Sequence, residues 1–308
     1  MVSPSTAPRI SFAVPYHSNP DFLRQAIDSV LAQTTPAWDL VIVDDAGPHD
    51  ARAMVEAIGD PRIRYVRNAA NLGLAENWNE CLRLTNAPLV TILHADDRLR
   101  PGYASAVIAA ADGDPTAVAV FTDAEIIGPD GTPTISLPDL GKRLVRRPRT
   151  DYDLAGDHGL SGLAAGNYMI CPTLCYRRAL LGEHGFDGRW RFMVDLDSTA
   201  RLLFAGEHMR AVRTKLYEYR RHDNTQTTLL TADTERFEEE IAFARELGAR
   251  ATTIGWTRTA RAARRRLLLR MHMLVRGLID VGHGRFTAAR GKWRMLVADL
   301  RSSSPRSP

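Results

Sequence analysis

Ala87-Pro88-Leu89-Val90-Thr91-Ile92-Leu93-His94-Ala95-Asp96-Asp97-Arg98-Leu99-Arg100-Pro101 is the stretch on which the reading of the fold turns. Leu89 to Leu93 is a short apolar run with β-branched residues at its centre, the mark of a buried strand. It ends in two adjacent carboxylates, and Arg100-Pro101 stops any continuation of the strand. Open parallel sheets bind ligands outside the carboxyl ends of their strands. Two acids there repel each other unless a cation stands between or beside them. Their oxygens suit a hard divalent ion that also binds phosphates, Mg²⁺ or Mn²⁺. A solvated acidic turn accounts for the same residues, so at this point both readings stand.

Toward the N-terminus the pattern alternates. Residues 1–8 are expected to form a disordered leader. Arg9 to Val14 predicts a strand, with Pro15-Tyr16-His17-Ser18-Asn19-Pro20 as its exit loop. A helix follows from about Asp21, with Phe22, Leu23, Ala26, Ile27, Val30 and Leu31 at helical spacing. Trp38 to Val43 is a second strand, again ending in paired acids, Asp44-Asp45. Asp50 to Ile58 predicts a helix, Ile63 to Val66 a strand, Asn68 to Gly73 a turn and Leu74 to Leu84 a third helix. This alternation predicts an α/β fold, a Rossmann-like and mostly parallel sheet flanked by helices. If the two acidic strand ends align, they line one crevice. A dinucleotide site is disfavoured because no glycine-rich turn follows the first strand, and no P-loop is present.

Beyond the opening stretch, Tyr103 to Ala111 predicts a helix and Ala117 to Phe121 a strand. Asp130-Gly131 marks a hairpin turn between Ala124–Ile127 and Pro133–Leu137. Lys142 to His158 is polar and irregular, and its Lys142, Arg143, Arg146, Arg147 and Arg149 suggest a mobile loop near the site or a solvated surface. Phe192 to Asp197 opens a helix through Leu203, where Asp195 and Asp197 also suit simple capping. Tyr217 to His222 is a final strand. His222 taken alone reads as a surface histidine.

The chain has 308 residues, 44% hydrophobic and 25% charged, which is ordinary for a soluble globular protein. It contains no apolar run of membrane-spanning length and no signal peptide at Met1. Cys81, Cys171 and Cys175 show no zinc-like spacing, so reduced thiols and a cytoplasmic location are expected. The net charge of +4 is unevenly placed. Arg258, Arg261, Arg264, Arg265, Arg266, Arg270, Arg276, Arg285, Arg290, Lys292, Arg294 and Arg301 face only Asp280 and Asp299. Helices are expected over Asp233–Leu247, Arg258–Leu278 and Arg285–Leu300. Such basic amphipathic helices either lie on an anionic membrane or cap the preceding domain with their arginines in solvent. Nucleic acid is the poorer partner, since the arginines lack interleaved aromatics.

Several motifs in register resemble one family. They are Val14-Pro15-Tyr16, Ala26 to Thr34, Val41 to Ala46, Asn71 to Asn79, Leu93 to Asp97, Gly185-Phe186-Asp187, Asp195-Leu196-Asp197 and Arg220-Arg221-His222. Together they resemble the family-two inverting glycosyltransferases of the A-type (GT-A) fold, over roughly Ile10 to His222. The resemblance implies a catalytic domain, placed over residues 9–228; beyond Asp223 it implies nothing, and the residue pattern alone predicts a basic helical extension over 229–300 and a disordered tail over 301–308. The resemblance implies that Pro15, Tyr16 and Asp45 contact the nucleotide, with Asn71 and Asn77 in the same nucleotide-sugar site. Asp96 would sit by the ribose and donor sugar, Asp97 would hold the metal, Asp195 would be the catalytic base and His222 a late metal or phosphate ligand. His94 departs from the pattern, standing where many relatives have another acid. Val194 departs too, standing where a glutamate is common.

The chemistry agrees with these residue types. A diphosphate leaving group is neutralised by a divalent ion, Mn²⁺ or Mg²⁺, acting as a Lewis acid. The attacking acceptor hydroxyl loses its proton to a carboxylate base. The expected partners are a nucleotide sugar (a UDP-sugar first, a GDP- or dTDP-sugar next) and a saccharide or lipid-linked acceptor. An anionic membrane surface is the further expected contact. The alternatives are a nucleotidyltransferase, which would be expected to show a glycine-rich phosphate loop, and a non-catalytic membrane scaffold, which would be expected to lack the carboxylates.

Overall fold

The computed structural model describes residues 7–135, 147–182, 184–222 and 234–303. Among them the N-terminal half follows the predicted alternation: β1 (Ile10–Tyr16), α1 (Pro20–Leu31), β2 (Trp38–Asp44), α2 (Arg52–Glu56), β3 (Ile63–Arg67), α3 (Leu74–Leu84) and β4 (Leu89–Ile92). Local chemistry sets these elements. In α1 the Asn19 side chain accepts from the backbone N–H groups of Asp21 and Phe22, and Pro20 opens the helix. Its Leu23, Ala26, Ile27 and Val30 are buried at helical spacing. The chain continues as β5 (Arg98–Leu99), α4 (Tyr103–Gly113), β6 (Ala119–Ile127), β7 (Tyr152–Ala155), α5 (Gly156–Ala165), β8 (Leu174–Arg177), α6 (Arg178–Leu181), α7 (Val194–Phe204) and β9 (His208–Arg220). Four further helices follow: α8 (Glu235–Thr253), α9 (Thr257–Arg265), α10 (Leu267–Gly282) and α11 (Phe286–Ser303).

The strands form one sheet in the order β3-β2-β1-β4-β8-β6-β9-β5, with β7 paired to β9. From β3 to β4 every pairing is parallel, so the carboxyl ends of β1, β2 and β4 share one edge. β8 then inserts antiparallel between β4 and β6, while β6 and β9 are parallel. Two apolar layers cover the faces. Phe12, Leu23, Ile27, Val107 and Tyr217 belong to one, and Trp78, Tyr176, Phe186, Leu202 and Leu247 to the other.

Several expectations are corrected. The two segments expected as separate strands form one continuous strand, which begins at Ala119 and runs to Ile127. Its register against β9 shifts between Thr122 and Ala124, and that bulge interrupts the apolar alternation so that it imitates a turn. Around Asp130-Gly131 the chain does turn back: among the described residues Pro133 bridges Ile127, and the Thr134 N–H donates to the Ile126 carbonyl (2.9 Å). Leu137, Lys142, Arg143 and Arg146 lie outside the described residues. The segment expected to be irregular up to His158 contains β7 and opens α5, because pairing with β9 and burial of Leu160 and Leu163 outweigh the poor helix propensity of glycine. The last strand is far longer than Tyr217 to His222, and His222 lies just past its end.

The basic segment expected as one helix from Arg258 to Leu278 is two helices, broken at Arg266. That residue has φ +43°, and its side chain is buried against Asp299 (2.6 Å) and the carbonyl of Ala263 (3.0 Å). Phe243, Leu247 and Ala263 join the main core, whereas Phe237, Ile241, Leu269 and Met273 form a small separate one. The boundary expected at residue 228 lies outside the described residues. No described helix is long and apolar enough to cross a membrane.

Candidate active site

The sheet edge gathers the predicted carboxylates into two neighbouring clusters. At the end of β4 the chain turns sharply, and the Asp97 N–H donates to the carbonyl of His94 (3.1 Å). Asp97 is fully buried. Its Oδ2 accepts from the Tyr217 hydroxyl (2.9 Å) and its Oδ1 from the Arg220 N–H (2.7 Å). Burial first, then the adjacent Asp96, pushes the Asp97 carboxyl well above the usual carboxylate range, against those two donors. Asp96 is half-buried, and its Oδ2 lies 3.0 Å from His222 Nε2. Burial opposes its ionisation, but the His222 contact and the nearby imidazoles outweigh it, so Asp96 lies below the ordinary range. His222 in turn packs its ring 5.3 Å from that of Phe22.

His94 completes the group. One ligand atom from each of His94, Asp96 and Asp97 lies within 4.8 Å of the others. The His94 Nδ1 is 3.8 Å from Asp97 Oδ2, and its Nε2 is buried with no hydrogen-bond partner among the described residues. Burial holds its imidazole below the usual range, which favours the neutral, ligand-competent form. The residue that departs from the family pattern therefore stands inside the cluster. Arg220 was seen in the sequence only as part of a motif, and its role is structural. Its side chain donates to Asp96 O (2.7 Å), Pro129 O (2.9 Å) and Gln25 Oε1 (2.8 Å), tying the acidic turn to α1 and to the end of β6.

The second cluster lies at the ends of β1 to β3. Asp45 is buried, and its Oδ1 accepts from Asn68 Nδ2 (3.0 Å) and the Leu72 N–H (2.8 Å), while its Oδ2 accepts from the Gly73 N–H (3.0 Å). Asn77 joins through Asn68 Nδ2 (3.0 Å), and Asn71 caps the same loop at Gly73 (2.9 Å). Asp44 is wholly committed to Tyr65, Arg67 and the Gly47 N–H. Gly47 lets the exits of β1 and β2 interlock, since an added Cβ would lie 1.6 Å from the His17 carbonyl oxygen. Pro15 is half-buried in β1. Tyr16 is almost fully buried and spends its hydroxyl on the His49 carbonyl (2.9 Å), so its side chain reads as core.

Asp195 is carried by a different element, α7. It occupies the first turn of α7, where its Oδ1 accepts from the Leu196 N–H (2.8 Å). Burial first, then the charge of Asp195, raises the Cys171 thiol, and Asp195 adds to the burial that raises the Tyr176 hydroxyl. From Tyr176 a run of rings leads through Phe186 (6.2 Å) and Trp78 (5.0 Å) to His94 (5.2 Å). Asp197, by contrast, is buried on Arg201 (2.8 Å) and is structural. A cavity of about 530 Å³ runs along β6, lined by Thr122, Asp123, Glu125, Arg147, Ile170 and Arg213 among others. A second concavity of about 480 Å³ lies between α2 and β3, away from these carboxylates.

Residues 11–170 match the family model described as Glycosyl transferase family 2. The chain belongs to this family. Among curated relatives of this family-2 chain is the succinoglycan biosynthesis protein ExoO of Rhizobium meliloti, 30% identical over 124 residues. That match covers 40% of this chain and 35% of ExoO, and the first relatives are matched over about a third of their length or less. The solved structure of S. aureus TarS 1-349 in complex with UDP-GlcNAc superposes with a TM-score of 0.60 at 14% identity, covering 97% of this chain and 93% of that one. The mannosyltransferase PcManGT from Pyrobaculum calidifontis, in complex with GDP-Man and Mn²⁺, gives a TM-score of 0.60 at 15% identity, covering 97% and 88%. The fold expected from the sequence, a mostly parallel sheet flanked by helices, is thus the fold of this family-2 protein.

Proposed function

We propose that the chain is a metal-dependent inverting glycosyltransferase that moves a hexosyl group from a nucleotide-diphosphate sugar to a hydroxyl of a saccharide, glycolipid or other cell-envelope acceptor. The observation that carries the reading is the convergence of His94, Asp96 and Asp97 at the carboxyl end of β4 in a family-2 chain. One imidazole and two carboxylates, with a buried nitrogen unpartnered among the described residues, fit a divalent ion such as Mn²⁺ or Mg²⁺. Asp96 and Asp97 with His94 would hold it, and His222 would join through its contact with Asp96. When bound, such an ion neutralises the diphosphate leaving group as a Lewis acid.

The loop held by Asp45, Asn71 and Asn77 forms the nucleotide side of the crevice in this reading, with the half-buried Pro15 as its floor and Tyr16 supporting that floor from the core. Asp45 Oδ2 accepts one described donor, which leaves a lone pair for a base N–H. Asp195 takes the proton from the acceptor hydroxyl as its oxygen bonds to the anomeric carbon and the bond from that carbon to the diphosphate breaks. A single displacement opposite the leaving group inverts the anomeric centre. The cavity along β6 suits the acceptor. It mixes carboxylates, guanidinium groups and the Tyr168 ring, groups that hydrogen-bond and stack on a saccharide. The names of ExoO and TarS support an envelope saccharide and a UDP-sugar first, and PcManGT keeps a GDP-sugar open, with a dTDP-sugar as the third candidate. The same reading places the enzyme in the cytoplasm, peripheral at the inner face of the membrane.

Calorimetric titration with UDP, GDP and dTDP, each with and without Mn²⁺, tests the reading. Tight, metal-dependent binding of one nucleotide is the expected outcome. Binding of none of them removes the proposal.

A further inference from the structure

The last two helices carry an apolar face that is exposed among the described residues. On α10, Leu267, Met271, Leu274 and Leu278 recur at helical spacing and are 72%, 42%, 46% and 56% exposed. The opposite face of the same helix is the one that packs inward, through Leu269, Met273, Gly277 and Asp280. On α11, Phe286 and Val297 are 66% and 46% exposed and share a face with Trp293. Trp293 joins the two stripes, because its indole reaches the Leu274 carbonyl (3.5 Å) across Gly277, where an added Cβ would lie 2.2 Å from Trp293 Nε1. An apolar face this continuous on a water-soluble surface marks an interaction site.

The charges around it identify the partner. Both acids of the segment are already consumed inside the hairpin. Asp299 pairs with Arg266 (2.6 Å) and Arg270 (2.8 Å), and Asp280 pairs with Lys292 and Arg285, both at 2.9 Å. Arg261, Arg264, Arg265, Arg290 and Arg294 are exposed and form no ion pair among the described residues. A second copy of the chain would bring these cations against one another. A polyanion would answer the charge but leave the leucines and Phe286 in water. A bilayer with anionic headgroups answers both, taking the apolar stripe to the acyl boundary and the guanidinium groups to the phosphates.

We propose that α10 and α11 form the docking surface of this protein for an anionic phospholipid membrane, with the Leu267-Met271-Leu274-Leu278 stripe and Phe286 facing the lipid. The surface is independent of the catalytic reading, since none of these residues belongs to the carboxylate clusters.

Co-sedimentation with vesicles tests it, using pure phosphatidylcholine and an equal mixture of phosphatidylcholine and phosphatidylglycerol, at low and high salt. The full chain is expected to sediment with the mixed vesicles at low salt and to stay in solution with the neutral ones. The double variant Leu274→Glu/Leu278→Glu, whose side chains are exposed and therefore dispensable for folding, is expected to lose on the order of a hundredfold in partitioning, about tenfold for each leucine. Arg290→Glu/Arg294→Glu should weaken binding to the mixed vesicles in the same direction. Far-UV circular dichroism of each variant should match that of the parent. Wild-type protein that stays in the supernatant with anionic vesicles overturns the proposal. So does a leucine variant that binds as tightly as the parent, which would indicate a purely polyanionic surface.

Discussion

A carboxylate oxygen of Glu239 lies 2.6 Å from the backbone nitrogen of Met193, the residue that caps the helix bearing Asp195. The same carboxylate accepts from the N–H groups of Phe192 (2.6 Å) and Arg191 (3.0 Å). No side chain of α7 performs this capping. Arg236 adds a guanidinium 4.2 Å above the Phe192 ring, and Glu235 pairs with Arg191 (2.7 Å). The segment that presents the proposed base is thus held from α8, in a part of the chain beyond the reach of the family motifs.

Glu239→Ala should therefore act at a distance. Three backbone donors lose a charged acceptor at a partly exposed site, which costs about 2 kcal/mol and roughly 3 °C in melting temperature. Sugar transfer should fall while nucleotide affinity is unchanged. Thermal melts and calorimetry check both, and a variant with the parent's melting temperature and turnover would remove the capping role.

Asp195→Asn keeps the size of the side chain and abolishes its basicity. The expectation is unchanged nucleotide binding with transfer reduced about 10²- to 10⁴-fold. Turnover at the parent rate would show that the proton goes elsewhere.

Asp97→Ala should abolish the metal-dependent part of nucleotide binding. Calorimetry with and without Mn²⁺ measures it. An affinity that still responds to Mn²⁺ as in the parent would place the ion on other ligands.

Arg220→Lys tests the scaffold under the acidic turn. A lysine ammonium cannot reach the carbonyls of Asp96 and Pro129 and the Gln25 amide at once, and the site is buried. A loss of about 3 kcal/mol is expected in denaturant unfolding. A midpoint equal to the parent's would mean that the ties across β4, β6 and α1 contribute nothing.

His272 predicts a pH dependence in the C-terminal helices. Burial first, then Arg236, Arg276 and Lys292, lowers its imidazole to about 3, while its ring packs 5.2 Å from that of Phe237. Because the folded value lies below the unfolded one, the unfolded chain binds the extra proton between them. Stability is then full above about pH 6.5 and declines as the pH falls toward about 3, by at most about 1.4 kcal/mol per pH unit. His272→Gln should flatten that part of the profile relative to the parent. Parallel profiles for the two proteins would show that other groups set the acid limit.

Local order along the N-terminal half was legible in the sequence because it depends on neighbours in the chain. The apolar spacing of α1 and α3, the buried run of β4 and the paired acids at the ends of β2 and β4 needed no knowledge of what lay opposite. What each acid does was decided only by tertiary structure. Asp44 and Asp45 look alike in sequence, yet one is spent on Tyr65 and Arg67 and the other organises the Asn68 to Gly73 loop. His94, noted as a departure, becomes a member of the acidic group because the turn after β4 brings it back over Asp97. The antiparallel insertion of β8, the bulge in β6, the break at Arg266 and the capping of α7 by Glu239 all depend on partners distant in sequence. Periodicity records which side of an element is apolar. It does not record which distant group will meet that side, and hydrogen bonds and buried charges are settled by that meeting.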